Sequence, residues 1–430
     1  MFIVERVLWA IATILFLSVG LYFTFKLRFS QFNLKEMLLG FKKDKSKEGI
    51  TPFQSLMLTL GARIGVGSLA GMALALYYGG PGVIFWMWLS TLICAPNAFS
   101  ESVLGVFYRK KEKNNYIGGP SYYISQGLNN PLLGKIYAIL LIFTYILGFL
   151  TVQSNTIVKS ITEVYNINPL IISISIMLLT LIIIYKGLNT IALISSKLVP
   201  FMTITYISIC TYILIINIDL LPNIINIIIK ESFNPTTIGI GFLIPLIIGM
   251  QRGIFSNEAG IGTGAIAAAT SNTNNPNKQG FIQVFGIYIE TLIISSLTVI
   301  VILLSDYKDI FWHNINGIEL TQYAFSYHLG NIGNYIVMIS IILFAFSTII
   351  TGYYYGESNL KYLFKNISNN KIFIFKIIVV FILLLGGVIS PIIIWSIADI
   401  FIVILGIINV IVLFLLRKKI INIFKYYLKK

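Results

Sequence analysis

Charge is what this chain has least of: 11% of its 430 residues are Asp, Glu, Lys or Arg, against 57% hydrophobic residues, and the mean hydropathy is +0.86. An ordinary soluble domain is excluded, because about a quarter of its residues would be charged. The chain needs lipid as its solvent. Cysteine and histidine are almost absent, with 2 of each. Cys94 and Cys210 stand far apart in apolar stretches, and His313 and His328 read as members of one polar loop. Neither a disulfide framework nor a Cys/His metal spacing can be assembled from them. A His-Glu-x-x-His motif is also missing, which leaves an intramembrane zinc enzyme without its ligands.

What the chain does have is a series of apolar stretches of about 20 residues, the length that crosses a hydrocarbon core of roughly 30 Å. They fall near 5–26, 52–79, 82–108, 134–159, 169–185, 190–217, 236–270, 280–304, 333–360, 372–389 and 391–416. The expected fold class is an all-α integral membrane protein of about eleven transmembrane helices. The first stretch follows Glu5 and Arg6 and lacks a clear small-residue cleavage site, so it reads as a retained helix, with a cleaved signal peptide as the alternative.

A formal net charge of +15 could suggest nucleic acid, but the basic residues lie in alternate loops. They occupy segment 26–49, with Lys35, Lys42, Lys43, Lys45 and Lys47 on a partly amphipathic stretch, then 109–135, Lys186, Lys278, 361–376 and the tail 417–430. The positive-inside rule makes these cytoplasmic and puts the amino terminus outside. The acidic residues Glu163, Asp219, Glu231, Asp306, Asp309 and Glu319 fall on the other side. The location implied is a plasma membrane, with the abundance of Ile, Asn and Lys hinting at a bacterial one.

Two arginines lie within spans. Arg63 and Arg252 are each followed, after six residues, by Ala-Gly (Ala70-Gly71 and Ala259-Gly260). An odd number of spans separates them, so the two segments run in opposite directions, as in an inverted repeat of five plus five helices. The expected organisation is 1–50 as an extra amino-terminal helix and surface segment, 51–217 and 218–416 as the two repeats, and 417–430 as a basic tail. Around each arginine the sequence is poor helix material: Gly61, Gly65, Gly67 and Gly71 in one segment, Gly249, Gly253, Ser256, Asn257, Gly260, Gly262 and Gly264 in the other. Each glycine costs a helix about 1 kcal/mol relative to alanine, and unwound backbone survives in a membrane only where protein or a water-filled cavity satisfies it. Paired broken helices point to a transporter site near the midplane, where freed amides hold a carboxylate and freed carbonyls a cation. Close packing through small residues is the competing account.

Two further polar clusters interrupt apolar spans: Gln153-Ser154-Asn155, and Ser347-Thr348 with Thr351. The first could bind a ligand or merely hydrogen-bond between helices. The hydroxyls of the second, with carbonyls of the first broken helix, would suit a small hard cation, or else bond back to their own helix. Glu101, Glu258, Glu290 and Asp399 lie in or near spans and could titrate, which keeps proton coupling open.

At these residues a family becomes recognisable. Gly79-Gly80-Pro81-Gly82 with Phe85-Trp86-Met87-Trp88, then Gly118-Gly119-Pro120-Ser121-Tyr122-Tyr123, and the run from Arg252 to Gly260 resemble the alanine or glycine:cation symporter family. Phe344-Ala345-Phe346-Ser347-Thr348, Gly356-Glu357 and Ala398-Asp399 follow in the family's order. The resemblance implies a leucine-transporter-type fold with one extra amino-terminal helix, importing a small neutral amino acid with Na+ and no cofactor, as a monomer. It carries substrate binding onto Gly65, Val66, Gly67, Gln153, Phe255, Ser256 and Asn257, and the cation onto Ala62, Gly65, Ser347 and Thr348. The chain departs from the family where Gly65-Val66-Gly67-Ser68 replaces the usual Gly-Thr-Gly-Asn, and where Gly352 stands near a common tryptophan. A substrate somewhat larger than alanine is the resulting expectation. A passive channel is the rival from another class, and the broken pair argues against it.

Overall fold

The computed structural model describes residues 2–41, 48–112, 114–233, 243–306, 315, 317–364 and 367–428. Lys42, Lys43, Lys45, Lys47, Asp309 and His313 lie outside the described residues. In chain order the helices are α1 (Phe2–Lys26), α2 (Leu34–Leu39), α3 (Pro52–Arg63), α4 (Gly67–Gly79), α5 (Val83–Phe107), α6 (Pro120–Gly127), α7 (Pro131–Val164), α8 (Pro169–Ile184) and α9 (Leu188–Ile216). They continue as α10 (Leu221–Ser232), α11 (Leu243–Asn257), α12 (Thr263–Thr270), α13 (Pro276–Leu303), α14 (Ile318–Leu329), α15 (Asn331–Leu363), α16 (Asn369–Gly386), α17 (Pro391–Leu415) and α18 (Arg417–Leu428). Among the described residues, a two-stranded antiparallel ribbon, β1 (Lys110–Glu112) with β2 (Asn115–Ile117), is the exception to the helices.

The starts of these helices are written locally. Thr51 makes a capping box with Gln54 ahead of Pro52, and Asn130, Asn168 and Asn275 cap α7, α8 and α13, each followed by proline. A side-chain acceptor satisfies one of the four orphan donors of a helix start, and a proline removes another.

Among the described residues, 8 helices are long and apolar enough to cross a membrane, and 9 if the bent pair α3–α4 counts as one span. The expected eleven would also need α8, with 16 residues, and the interrupted pair α11–α12. Three loops of the sequence reading are themselves partly helical: α6, α10 and α14. His328 therefore belongs to a helix, with Nε2 3.2 Å from Val301 O. The basic tail forms α18, whose Ile420 and Phe424 are buried, Phe424 against Phe99.

The interrupted helices lie at the centre. Residues 55–76 and 249–273 are buried throughout. α5 packs along α11, α12 and α13 on one side, while α15 packs against α3, α7 and α9 on the other. α1 lies outside this set against α5 and α17, with Phe16 close to Gly260 and Gly406. At one end of the bundle the two interrupted segments are tied by backbone: Ile50 N–H donates to Thr270 O at 3.1 Å, and Asn272 N–H to Ile50 O at 2.8 Å. Arg109 adds bonds to Ser271 O and Thr273 O at 2.5 and 2.8 Å.

Candidate functional site

The first interruption covers Ile64 to Val66, across which α3 and α4 bend by 50°; Ile64 leaves the helical region at φ −80°, ψ 78°. α4 opens with a π-helical turn, Gly67–Gly71. The second interruption is narrower than the glycine pattern suggested. α11 runs unbroken through Gly249, Gly253, Ser256 and Asn257, and a Cβ on Gly249 would stand 2.6 Å from Val83 O on α5. Small-residue packing is the right account of those two glycines. The break occupies Glu258 to Gly262, with positive φ at Glu258 (55°), Gly260 (85°) and Gly262 (104°).

Gly262 is the residue that makes this break possible. Its φ disfavours any side chain, and a Cβ there would collide with Pro120 Cγ and approach Tyr137 OH to 2.5 Å. Gly262→Ala should lower stability by about 1–3 kcal/mol; a thermal melt of the purified protein checks it, and an unchanged midpoint would mean that the break does not need glycine.

Arg63 and Arg252 are not structurally equivalent. Arg63 closes α3 and abuts the first interruption, whereas Arg252 lies within α11, five residues before its last helical residue Asn257. The two segments are broken at different distances from their arginines, so the short sequence echo does not mark equivalent positions.

Gly65 is the meeting point of the predicted residues. A Cβ on it would collide with Thr348 Oγ1 and stand 3.2 Å from Gln153 Oε1. Gln153 Oε1 in turn accepts from Val66 N–H at 3.1 Å, so the amide of the first interruption is held by the side chain expected to touch substrate. Ser347 Oγ lies 3.0 Å from Gly61 O, and Thr348 Oγ1 lies 3.0 Å from Gly61 O and 3.2 Å from Ala62 O; both also reach Phe344 O. These are all oxygen groups on two helices, the donor set a hard cation takes. Gly61 joins Ala62 as a carbonyl there, one residue from the predicted set.

Gly67 connects the two interruptions, since a Cβ on it would stand 3.1 Å from Ser256 Oγ and 3.2 Å from Phe255 Cδ1. Phe255 stacks on Phe149 (5.0 Å between centroids) and meets Trp395 at 5.0 Å. Over these rings lies Arg252, paired with Asp399 through Nη2–Oδ2 at 2.7 Å and Nη1–Oδ1 at 3.3 Å. Asn257 is set apart from this group: its amide donates to Thr91 and Thr291, and its Oδ1 accepts from Ala259 N–H at 2.9 Å, bracing the second break. Ser154 and Asn155 turn away as well, to carbonyls of Leu383, Gly386 and Ile389. They serve interhelical bonding.

Sequence reasoning did not place Ser68 and Glu290 in this site. Glu290 accepts from Ser68 at 2.9 Å, from Ser295 at 2.6 Å and from Ser256, so one buried carboxylate joins both interrupted helices to α13. An ionisable residue within a span was the available signal. Gly352 does not open the space its sequence position suggested, because Leu150 Cδ1 and Tyr145 Cδ1 stand 2.8 Å from where its Cβ would be.

A family model described as the sodium:alanine symporter family matches residues 1–430. Of the curated relatives, a probable sodium/glutamine symporter, GlnT, of Bacillus subtilis is 37% identical over 100% of this chain and 90% of its own. The amino-acid carrier protein AlsT of the same organism is 34% identical over 98% and 90%, and the sodium/alanine symporter AgcS of Methanococcus maripaludis 33% over 90% and 87%. Of solved structures, MhsT in complex with L-phenylalanine matches with a TM-score of 0.61 at 12% identity, over 84% of this chain and 89% of that one. That likeness gives the fold, the leucine-transporter type expected from the sequence.

Proposed function

The chain belongs to the sodium:alanine symporter family, and on that premise we infer that it is a multi-pass membrane symporter that carries a neutral amino acid together with Na+ by alternating access. The observation that carries the site assignment is the junction at Gly65, where the interrupted backbone, Gln153 and Thr348 meet. Na+ is assigned to the carbonyls at Gly61, Ala62 and Gly65 with the hydroxyls of Ser347 and Thr348. The amino acid is assigned to Gly65, Val66, Gly67, Gln153, Phe255 and Ser256, with Asn257 shaping the second break. The helix dipole at the start of α4 favours the substrate carboxylate, and that at the end of α3 favours the cation.

Because both ligands share one stretch of backbone, occupation by Na+ fixes the conformation that the amino acid needs, which is coupling by differential affinity. The membrane potential then contributes about 2.3 kcal/mol per charge per 100 mV. Sodium/alanine and sodium/glutamine relatives support a substrate range that extends from alanine to glutamine. The amino terminus is assigned outside and the carboxyl terminus to the cytoplasm, in a bacterial plasma membrane, with repeats at 51–217 and 218–416. The chain works as a monomer, without cofactor or catalysis.

The deciding experiment is uptake of a labelled amino-acid panel into proteoliposomes with imposed Na+ or H+ gradients. Concentrative uptake only with a Na+ gradient is expected; downhill flux without accumulation would establish a channel. Gln153→Ala removes the acceptor for a buried amide, a cost of about 1–3 kcal/mol. Substrate affinity should fall accordingly while Na+ activation changes less, and wild-type affinity would remove Gln153 from the site.

A further inference from the structure

Arg63 is 1% exposed, and Glu101 on α5 and Glu258 at the second break are 0% exposed. Among the described residues no contact ion pair joins Arg63 to either carboxylate. The guanidinium donates from Nη1 to Gln283 O at 3.0 Å. Its Nε and Nη2, Glu101 Oε1 and both ends of the Gln283 amide have no hydrogen-bond partner among the described residues. These orphaned atoms converge. A Cβ on Gly264 would stand 2.8 Å from Arg63 Nη2, 3.1 Å from Glu101 Oε1 and 3.7 Å from Gln283 Oε1. The bare glycine backbone of α12 thus lets the Arg63 guanidinium and the Glu101 carboxylate approach closely, on the side where each has an unsatisfied atom.

The two carboxylates are not alike. Glu258 accepts from Tyr145 OH at 2.5 Å and from Thr263 Oγ1 at 2.7 Å, and it precedes the amino terminus of α12, where the helix dipole favours negative charge. Glu101 accepts from Asn409 Nδ2 at 3.1 Å through Oε2, and its Oε1 lies on the Gly264 side. Two enclosed carboxylates opposite one guanidinium carry an excess negative charge that burial penalises; one proton restores the balance.

We propose that Arg63, Glu101 and Gln283 form a buried proton site beside Gly264, in which Glu101 Oε1 takes the proton and Glu258 is the counter-charge to Arg63. The proton is taken from water and returned to it, and only an O–H bond forms or breaks. The charged and titratable groups facing Glu101 are Arg63 on α3, Glu258 at the break, Tyr123 on α6 and Tyr137 on α7. The site reaches the moving backbone through Asn409, which also donates to Gly260 O at 2.9 Å. Its occupancy therefore biases the second break.

Infrared difference spectroscopy of the purified full chain in lipid, titrated with pH, tests this directly. The C=O stretch of a protonated carboxyl group is expected in the wild type and lost in Glu101→Gln; Glu101→Asp shifts its frequency, whereas Glu258→Asp, which keeps the counter-charge, leaves the frequency where it is. A band that survives in Glu101→Gln, or that shifts in Glu258→Asp and not in Glu101→Asp, overturns the assignment. Should Glu101→Gln fail to fold, Gly264→Ala puts a methyl group against Arg63 Nη2 and Glu101 Oε1 and must shift the band; an unshifted band rejects the site. A second readout rests on the symport reading: Na+-driven uptake should follow pH as a single titration in the wild type and lose that dependence in Glu101→Gln. The infrared result stands by itself even if no amino acid is transported.

Discussion

Ser347→Ala combined with Thr348→Ala should raise the Na+ concentration needed for half-maximal uptake by at least about tenfold, while selectivity among amino acids stays close to wild type. The two hydroxyls lie on α15 within 3.0–3.2 Å of the Gly61 and Ala62 carbonyls on α3, so they are the only side-chain oxygens assigned to the cation. The remaining ligands would be main-chain carbonyls that no substitution removes. A tenfold loss corresponds to about 1.4 kcal/mol, which is modest beside the cost of dehydrating an ion with an incomplete shell. Selectivity should survive because Gln153, Phe255 and Ser256 are untouched. Both hydroxyls also bond back to Phe344 O, an ordinary way for Ser and Thr to sit in a helix. Sodium activation of uptake in the double variant separates the two roles: an unchanged Na+ curve leaves only the back-bonding.

The interruptions were legible in the sequence because glycine and polar residues inside apolar spans have few physical explanations. Their extent was less legible. Gly249 and Gly253 carry the same signal as Gly260 and Gly262, yet the first pair lies in α11 against α5 and only the second adopts positive φ. A sequence records that a side chain is missing, and not whether a neighbour or a turn requires it. The cluster Gln153-Ser154-Asn155 stood out because polar groups in a span need partners, but only the family resemblance singled out Gln153; Ser154 and Asn155 carry the same signal and bond instead to α16 and the residues after it. Which of three consecutive polar residues faces the site depends on helix rotation set by packing. The pairing of Arg252 with Asp399, 147 residues apart, is tertiary information, as is the filling of the space beside Gly352 by Tyr145 and Leu150.

Asp399→Asn should destabilise the protein more than any other single change named here. Arg252 is 8% exposed and Asp399 1%, and their two bonds of 2.7 and 3.3 Å hold α11 to α17 directly over the Phe255–Trp395 pair. Removing one partner of a buried ion pair leaves a bare charge and costs about 3–5 kcal/mol, whereas replacing both by apolar residues of similar volume is often neutral or stabilising. Arg252→Met with Asp399→Leu should therefore recover most of the stability lost in Asp399→Asn, read as the thermal midpoint of the purified protein in lipid. Transport by that double variant then tells brace from gate. If the pair only joins α11 to α17, uptake returns with stability. If the pair must part to admit substrate past Phe255 and close again behind it, the double variant is folded but slow, because an apolar pair has no charge-assisted bond to re-form. The second outcome is expected, since Arg252 also lies 5.0 Å from the Trp395 ring and 5.7 Å from Phe255, so any movement of Asp399 uncovers the aromatic floor of the site. A single variant as stable as wild type would contradict the buried pair itself.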